Sequence, residues 1–282
     1  MQLEIKYEKP SHNWCVLHVF DEFYKYIKDK ADHEYINSAS FKNRFAGGIN
    51  SAQVMILKNK QNGKYILVSY WDNCKDLVLD SNGWDRKKCV DIITSSGIDE
   101  SIKTTPFTYL PYSKEFEIFS KNAKSIDQKE NNRLFFKGFL YGERMMLKDT
   151  NLIDISNEKT TPHSCYFEEL TNNKICLSLN GAGEICNRDI EILSAKSVLF
   201  RPKLKTKFHN ELTENVHYVP FDCHSDPKKQ CEIILNKFQE IKDNLPLLKE
   251  ISENGYNWYL KNATIESNVE ILKKLINLDR LK

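Results

Sequence analysis

The stretch Lys174-Ile-Cys-Leu-Ser-Leu-Asn180-Gly181-Ala182-Gly183-Glu184-Ile-Cys-Asn187-Arg188-Asp189-Ile190-Glu191 gathers residue types that could hold a phosphate. A strand pattern ends in Asn-Gly-x-Gly and a helical pattern opens directly after it. Glycines at such a junction let backbone approach a phosphate closely, and a helix N-terminus offers unpaired N–H groups and a positive dipole end. Arg188, in the first turn, would add a charged fork that matches phosphate oxygens. Glu191, three residues on, shares a helix face with it and could accept from the vicinal hydroxyls of a ribose. The same residues also suit a tight strand-to-helix turn with a solvated arginine.

A second junction has the same character: Leu134-Phe-Phe-Lys137-Gly138, followed by Gly142-Glu143-Arg144. Arginine is scarce, seven of the 41 basic residues, yet two of the seven follow glycine-containing strand ends in the second half. Parallel strands direct their carboxyl ends to one rim, where open α/β sheets bind ligands. Arginines converging there suit a diphosphate, although two separate surface arginines would read the same. No Asp-x-Asp occurs in the chain. A nucleotide site without a metal on such a pair must neutralise a leaving diphosphate with guanidinium groups and helix ends.

In the first half, Tyr65-Ile-Leu-Val-Ser-Tyr-Trp71-Asp72-Asn73-Cys74 runs a hydrophobic strand into a carboxylate beside a tryptophan. Partial desolvation by the ring would raise the pKa of Asp72 and suit it to general-base work. An Asx turn or helix cap is the competing reading, and Asp76 and Asp80 lie nearby. Trp14, Trp71 and Trp84, with Tyr109 and Tyr112, could offer flat faces to sugar rings or could be ordinary core.

The elements that must carry these residues follow from periodicity. Residues 16, 19, 20, 23, 24 and 27 recur at helical spacing. Runs 52–57 and 65–70 read as a hairpin turned by Asn62-Gly63, and 90–93 as another short strand. The polar segment 121–133 reads as an interdomain connection. Beyond it, strands at 134–136, 175–179, 198–200 and 216–219 alternate with helices near 164–171, 187–195, 227–241 and 246–260. That alternation predicts βα units and a mostly parallel sheet. A last amphipathic segment covers 265–278.

Composition bounds the class: 282 residues, 40% hydrophobic, 28% charged, net charge +2. These values exclude a disordered chain and the overall basic footprint of a dedicated nucleic-acid binder. Purely apolar runs reach only four residues, as at 54–57, far short of the roughly 20 that span a bilayer. The start Met1-Gln2-Leu3-Glu4-Ile5-Lys6 lacks the pattern of a secretory signal, which predicts a cytoplasmic protein. The eight cysteines include no Cys-x-x-Cys, and Cys223-His224 with Cys231 fits no usual zinc spacing. Structural thiols and no metal are therefore expected.

Asn180-Gly-Ala-Gly…Arg188, then Leu193-Ser-Ala-Lys-Ser-Val-Leu-Phe200 and Val216-His217-Tyr218-Val219-Pro220, resemble the donor half of the capsule-associated glycosyltransferase family. That family includes protein O-glucosyltransferases and fungal capsular xylosyltransferases. Phe136-Lys137-Gly138…Arg144 is similar to its Phe-Arg-Gly…Arg element, and the strand ending at Asp72 to the one ending in its catalytic aspartate. The likeness covers about residues 64–260. Three departures stand out: Asn180 where the family often has Asp, Lys137 where it often has Arg, and Arg188 one residue late. The short, lysine-rich form is most similar to the β-xylosyltransferase branch found in chloroviruses, which places it in a host cytoplasm.

The resemblance implies an α/β protein of the GT-B class, two Rossmann-like domains facing across a cleft. The acceptor domain would span 1–125, with a C-terminal helix in 262–282 packing back on it, and the donor domain 133–261. It implies an inverting transfer of xylose from UDP-xylose to an acceptor sugar such as fucose in an N-glycan or glycoprotein, with no obligatory metal. Asp72 would be the base. Gly138, Arg144, Asn180, Gly181, Gly183, Arg188 and Glu191 would hold the donor, and Trp14, Trp71 and Trp84 the acceptor. UDP-glucose as donor, a non-catalytic nucleotide- or carbohydrate-binding protein and a local nucleic-acid patch are the alternatives.

Overall fold

Two near-continuously buried strands and the glycine turn between them lie at the centre of the first sheet. In the computed structural model, residues 1–37, 53–70, 85–95, 104–106, 110–138, 144–145, 161–181, 184–205 and 209–282 are described. The hairpin forms as its turn residues require: β3 (Val54–Asn59) pairs antiparallel with β4 (Tyr65–Ser69), and Gly63 adopts φ +74° between them. Around it lie β1 (Gln2–Tyr7), β2 (Asp32–Asn37), β5 (Cys89–Thr94) and β6 (Thr104–Pro106). The strand order is β2-β1-β3-β4-β5-β6. The sheet is mixed, because β3 runs antiparallel to both neighbours while the other pairs are parallel. Helix α1 (Cys15–Ile27) buries Val19, Phe20, Phe23 and Ile27 of the face that its spacing predicts, together with Cys15 and Leu17, while Val16 and Tyr24 are half-buried.

The second sheet is wholly parallel. β7 (Asn131–Phe135), β8 (Asn173–Leu177), β9 (Val198–Pro202) and β10 (Val219–Phe221) lie in sequential order. Helices α2 (Glu115–Ser120), α3 (His163–Asn172), α4 (Asn187–Ser194), α5 (Pro227–Ile241) and α6 (Leu245–Asn262) accompany these strands. Near-continuous apolar strands, such as β9 with every residue buried, are what a sheet covered on both faces requires. The fourth strand begins later than expected. Asn215 sits at φ +58° and Val216 is exposed, so pairing starts only at Val219.

The chain divides into two compact units: Met1–Tyr112 with Thr206–Asn210 and Asn262–Lys282, and Ser113–Lys205 with Glu211–Lys261. Each has its own core, one around Leu3, Phe20, Leu57 and Val68, the other around Phe136, Leu177, Phe200 and Phe238. Helix α7 (Ile265–Leu275) gives Val269, Ile271 and Leu272 to the first core. The expected connection at 121–133 is not one, and the division falls at Tyr112/Ser113 rather than near residue 125. Seven of its thirteen residues are exposed, as its polarity suggests, but others tie it to the second unit. Ser125 and Gln128 close a capping box, Ile126 enters the second core, and Lys129 is 4% exposed.

Candidate functional site

The second unit positions its arginines by the pairing of β7 with β8. Those strands are parallel neighbours, Leu134 beside Ile175 and Phe135 beside Cys176, so Phe136–Gly138 and Ser178–Gly181 emerge at one rim. Each strand end is held by an arginine that follows the other. Arg188, in the first turn of α4 beyond β8, donates from Nε to the Lys137 carbonyl after β7 (3.0 Å). Arg144, in the segment after β7, donates from Nε to the Asn180 carbonyl (3.1 Å) and from Nη2 to that of Leu179 (3.3 Å), both after β8. The two guanidinium groups thus clasp the rim reciprocally.

Arg188 is half-buried rather than freely solvated. Its guanidinium lies 4.7 Å from the centre of the buried Phe136 ring, and its Nη1 is buried with no hydrogen-bond partner among the described residues. An unsatisfied buried donor on a cation is costly unless a ligand completes it. Gly138 permits this placement: a Cβ there would sit on the Arg188 Nη2. Close approach and not backbone strain therefore favours glycine here, since any side chain would push the guanidinium aside and the backbone is outside the left-handed region.

Glu191 is buried on α4, and its charge and that of Arg188 act on one another and on the Tyr166 phenol. Burial, then Glu191, hold that phenol well above its ordinary pKa. Cys186, the residue that starts α4, is pushed up to about 11 by burial and by Asp189, against the pull of Arg188, Arg144 and Arg201. Asp189 fixes the helix start by accepting from the Cys186 N–H (2.7 Å). Lys137 is occupied elsewhere, its Nζ 2.7 and 2.6 Å from the two carboxylate oxygens of Glu169 on α3. A lysine so neutralised contributes little to an incoming anion.

The structure therefore brings together Gly138, Arg144, Asn180, Gly181, Arg188 and Glu191 in the second unit. Gly183, Trp71, Asp72 and Trp84 lie outside the described residues, as do Asp76, Asp80 and Tyr109. Trp14 precedes α1 in the first unit and forms a half-exposed aromatic cluster, 4.2 Å from the His12 ring and 5.2 Å from that of Tyr112. Among the described residues no group of three His, Cys, Asp or Glu side chains is arranged to hold a metal, and no helix is long and apolar enough to cross a membrane. The sequence reading missed Arg201, whose fully buried side chain reaches into the same loop. An arginine inside the apolar run Val198–Pro202 was the available signal.

No protein-family model matches the chain, and no curated protein matches it by sequence. Solved structures do match in fold. An α-glucosyltransferase in complex with UDP and a 13-mer DNA superposes with TM-score 0.53 at 9% identity, covering 98% of this chain and 99% of that one. The same values hold for an α-glucosyltransferase complex with UDP. A third complex, with UDP and a 13-mer DNA containing an HMU base, gives 0.51 at 8% identity over 97% and 98%. The fold is that of a GT-B glycosyltransferase. At such identities the likeness extends to the path of the chain and its mixed α/β architecture.

Proposed function

We propose that the protein is a UDP-sugar-dependent glycosyltransferase whose donor site is the clasped rim of β7 and β8. The observation that carries the reading is Arg188, whose Nη1 is buried without a hydrogen-bond partner among the described residues while its Nη2 lies against Gly138. It lies in a parallel sheet at the strand ends where such folds bind nucleotides. Structures of the same fold hold UDP, which agrees with a diphosphate as the missing acceptor.

In this reading Arg188 and Arg144 stabilise the departing UDP, aided by backbone N–H groups of Gly181 and Gly183 and by Asn180. Glu191 accepts from the ribose hydroxyls. Asp72 takes the proton of an acceptor hydroxyl as that oxygen attacks the anomeric carbon. The bond from that carbon to the UDP oxygen breaks, and its electron pair leaves with the diphosphate. A single displacement of this kind inverts the anomeric configuration. Trp14, Trp71 and Trp84 offer faces to the acceptor sugar. The motif likeness to capsule-associated glycosyltransferases, in particular the chlorovirus β-xylosyltransferase branch acting in a host cytoplasm, favours xylose over glucose and a fucose-bearing N-glycan acceptor.

The test is mass-spectrometric detection of product from UDP-xylose and UDP-glucose, each offered with fucose-containing oligosaccharides and, separately, with duplex DNA. Product from UDP-xylose and an oligosaccharide is expected. Product on DNA alone would replace the acceptor class, and UDP binding without transfer from either donor would make the chain a binding protein. A β-linked product is expected by NMR, and an α-linkage would remove the single-displacement mechanism.

A further inference from the structure

The loop between β8 and α4, which carries the acceptors of Arg144 and leads into Arg188, is gripped from inside by a residue of β9. Arg201 is 1% exposed, and its guanidinium spends all three nitrogens on neighbours. Nε donates to the Pro202 carbonyl (3.1 Å). Nη2 donates to Asn180 Oδ1 (3.2 Å) and to the Glu184 carbonyl (2.7 Å). Nη1 stands 2.9 Å from Asp189 Oδ1, an ion pair too poorly aligned to count as a hydrogen bond, with both side chains 1% exposed. The contacts fall at the strand side of the loop, at its middle and at its helix side. The Asp189 oxygen that Arg201 does not face holds the Cys186 N–H at the start of α4.

A buried ion pair is a poor source of stability, because desolvating two charges offsets most of their attraction. It is good at fixing geometry, since few other arrangements satisfy both groups. Here the geometry fixed is that of the residue to which Arg144 is bonded and of the residue next to Arg188. We propose that Arg201 is a positioning residue of the diphosphate site, setting the separation of the Arg144 and Arg188 guanidinium groups through Asn180, Glu184 and Asp189. The proposal rests on the reading of that rim as the UDP site. Lysine cannot substitute: its single nitrogen can stay near Asp189 but cannot also reach Asn180 and Glu184.

Arg201→Lys keeps the buried charge while removing the grip, so donor kinetics separate positioning from mere support. The KM for UDP-sugar and the Kd for UDP are expected to rise about tenfold or more and kcat to fall with them, because the same guanidinium groups stabilise the departing UDP, while the acceptor KM stays within about twofold. Asp189→Asn, isosteric and able to keep the bond to the Cys186 N–H, should move the same constants in the same direction. It stands in if the lysine variant fails to fold. A lowered melting temperature with unchanged donor KM and UDP affinity in the folded fraction would make Arg201 a structural residue only and overturn the proposal. Arg188→Ala separates the two levels of failure. If it binds UDP as the native protein does, the site reading falls and the proposal falls with it. If it loses UDP while Arg201→Lys and Asp189→Asn retain it, the proposal alone falls.

Discussion

Gly138→Ala isolates the steric logic of the candidate site, because one methyl group is added where the Arg188 guanidinium is the nearest group in its way. The three nearest atoms to a Cβ at this position all belong to Arg188: Nη2, Cζ at 3.0 Å and Nε at 3.5 Å. Backbone strain does not enter, as residue 138 is not left-handed. The methyl must therefore displace the guanidinium, breaking its 3.0 Å bond to the Lys137 carbonyl and its stacking on Phe136. Overpacking of this kind costs ~1–3 kcal/mol of stability. An arginine driven off its diphosphate forfeits charge-assisted bonds worth ~2–3 kcal/mol, so UDP should bind roughly 30- to 150-fold more weakly. The assay is calorimetric titration of UDP into native protein, Gly138→Ala, Arg188→Ala and the double variant. With no guanidinium to strike, Gly138→Ala in the Arg188→Ala background should change affinity less than about twofold. Full additivity of the two substitutions, or native affinity in Gly138→Ala, would refute the argument.

Three other outcomes follow from particular contacts. Asp72→Asn should abolish transfer and leave UDP affinity within about twofold, since base catalysis acts on the acceptor; normal turnover would exclude Asp72 as the base. Lys129 donates to the Thr171 and Ala195 carbonyls and to Ser197 Oγ, and burial lowers its pKa from 10.5 to about 7. Between those values the unfolded chain binds the extra proton, so native stability should rise with pH from about 7 to 10.5, by at most about 1.4 kcal/mol per unit. Urea titrations should find that slope reduced in Lys129→Met, and identical slopes would count against it. Asn268, fully buried, accepts from the Tyr70 hydroxyl (3.1 Å) and donates to the Asn262 and Thr264 carbonyls. Asn268→Leu should cost about 3 kcal/mol or more and Tyr70→Phe about 1 kcal/mol in the same titrations, with equal losses arguing against the network.

What could be read from the sequence was local. The Asn62-Gly63 hairpin, the apolar stripe of α1 and the βα alternation after residue 161 follow from short-range rules, and the structure forms each of them. β2 was missed because Asp32–Asn37 lies at the sheet edge and buries no residue fully, leaving no alternation to detect. The segment 121–133 was misread because lysine normally marks solvent, whereas Lys129 turns inward to satisfy the carbonyl ends of two helices. At the rim, residue types at strand ends pointed to Arg144 and Arg188. The crossed pattern in which each holds the other strand's carbonyls depends on the pairing of β7 with β8, which no window of sequence contains. Arg201 showed only as an arginine inside an apolar strand, because its meaning resides in Asn180, Glu184 and Asp189 on other segments.

The central claim is that a nucleoside diphosphate completes the buried Nη1 of Arg188. A crystal structure of the protein with UDP tests it most directly. The account predicts phosphate oxygens within hydrogen-bond distance of Arg188 Nη1, with the ribose toward Glu191. UDP bound away from the β7–β8 rim, or an Arg188 Nη1 still without a partner in the complex, would contradict it.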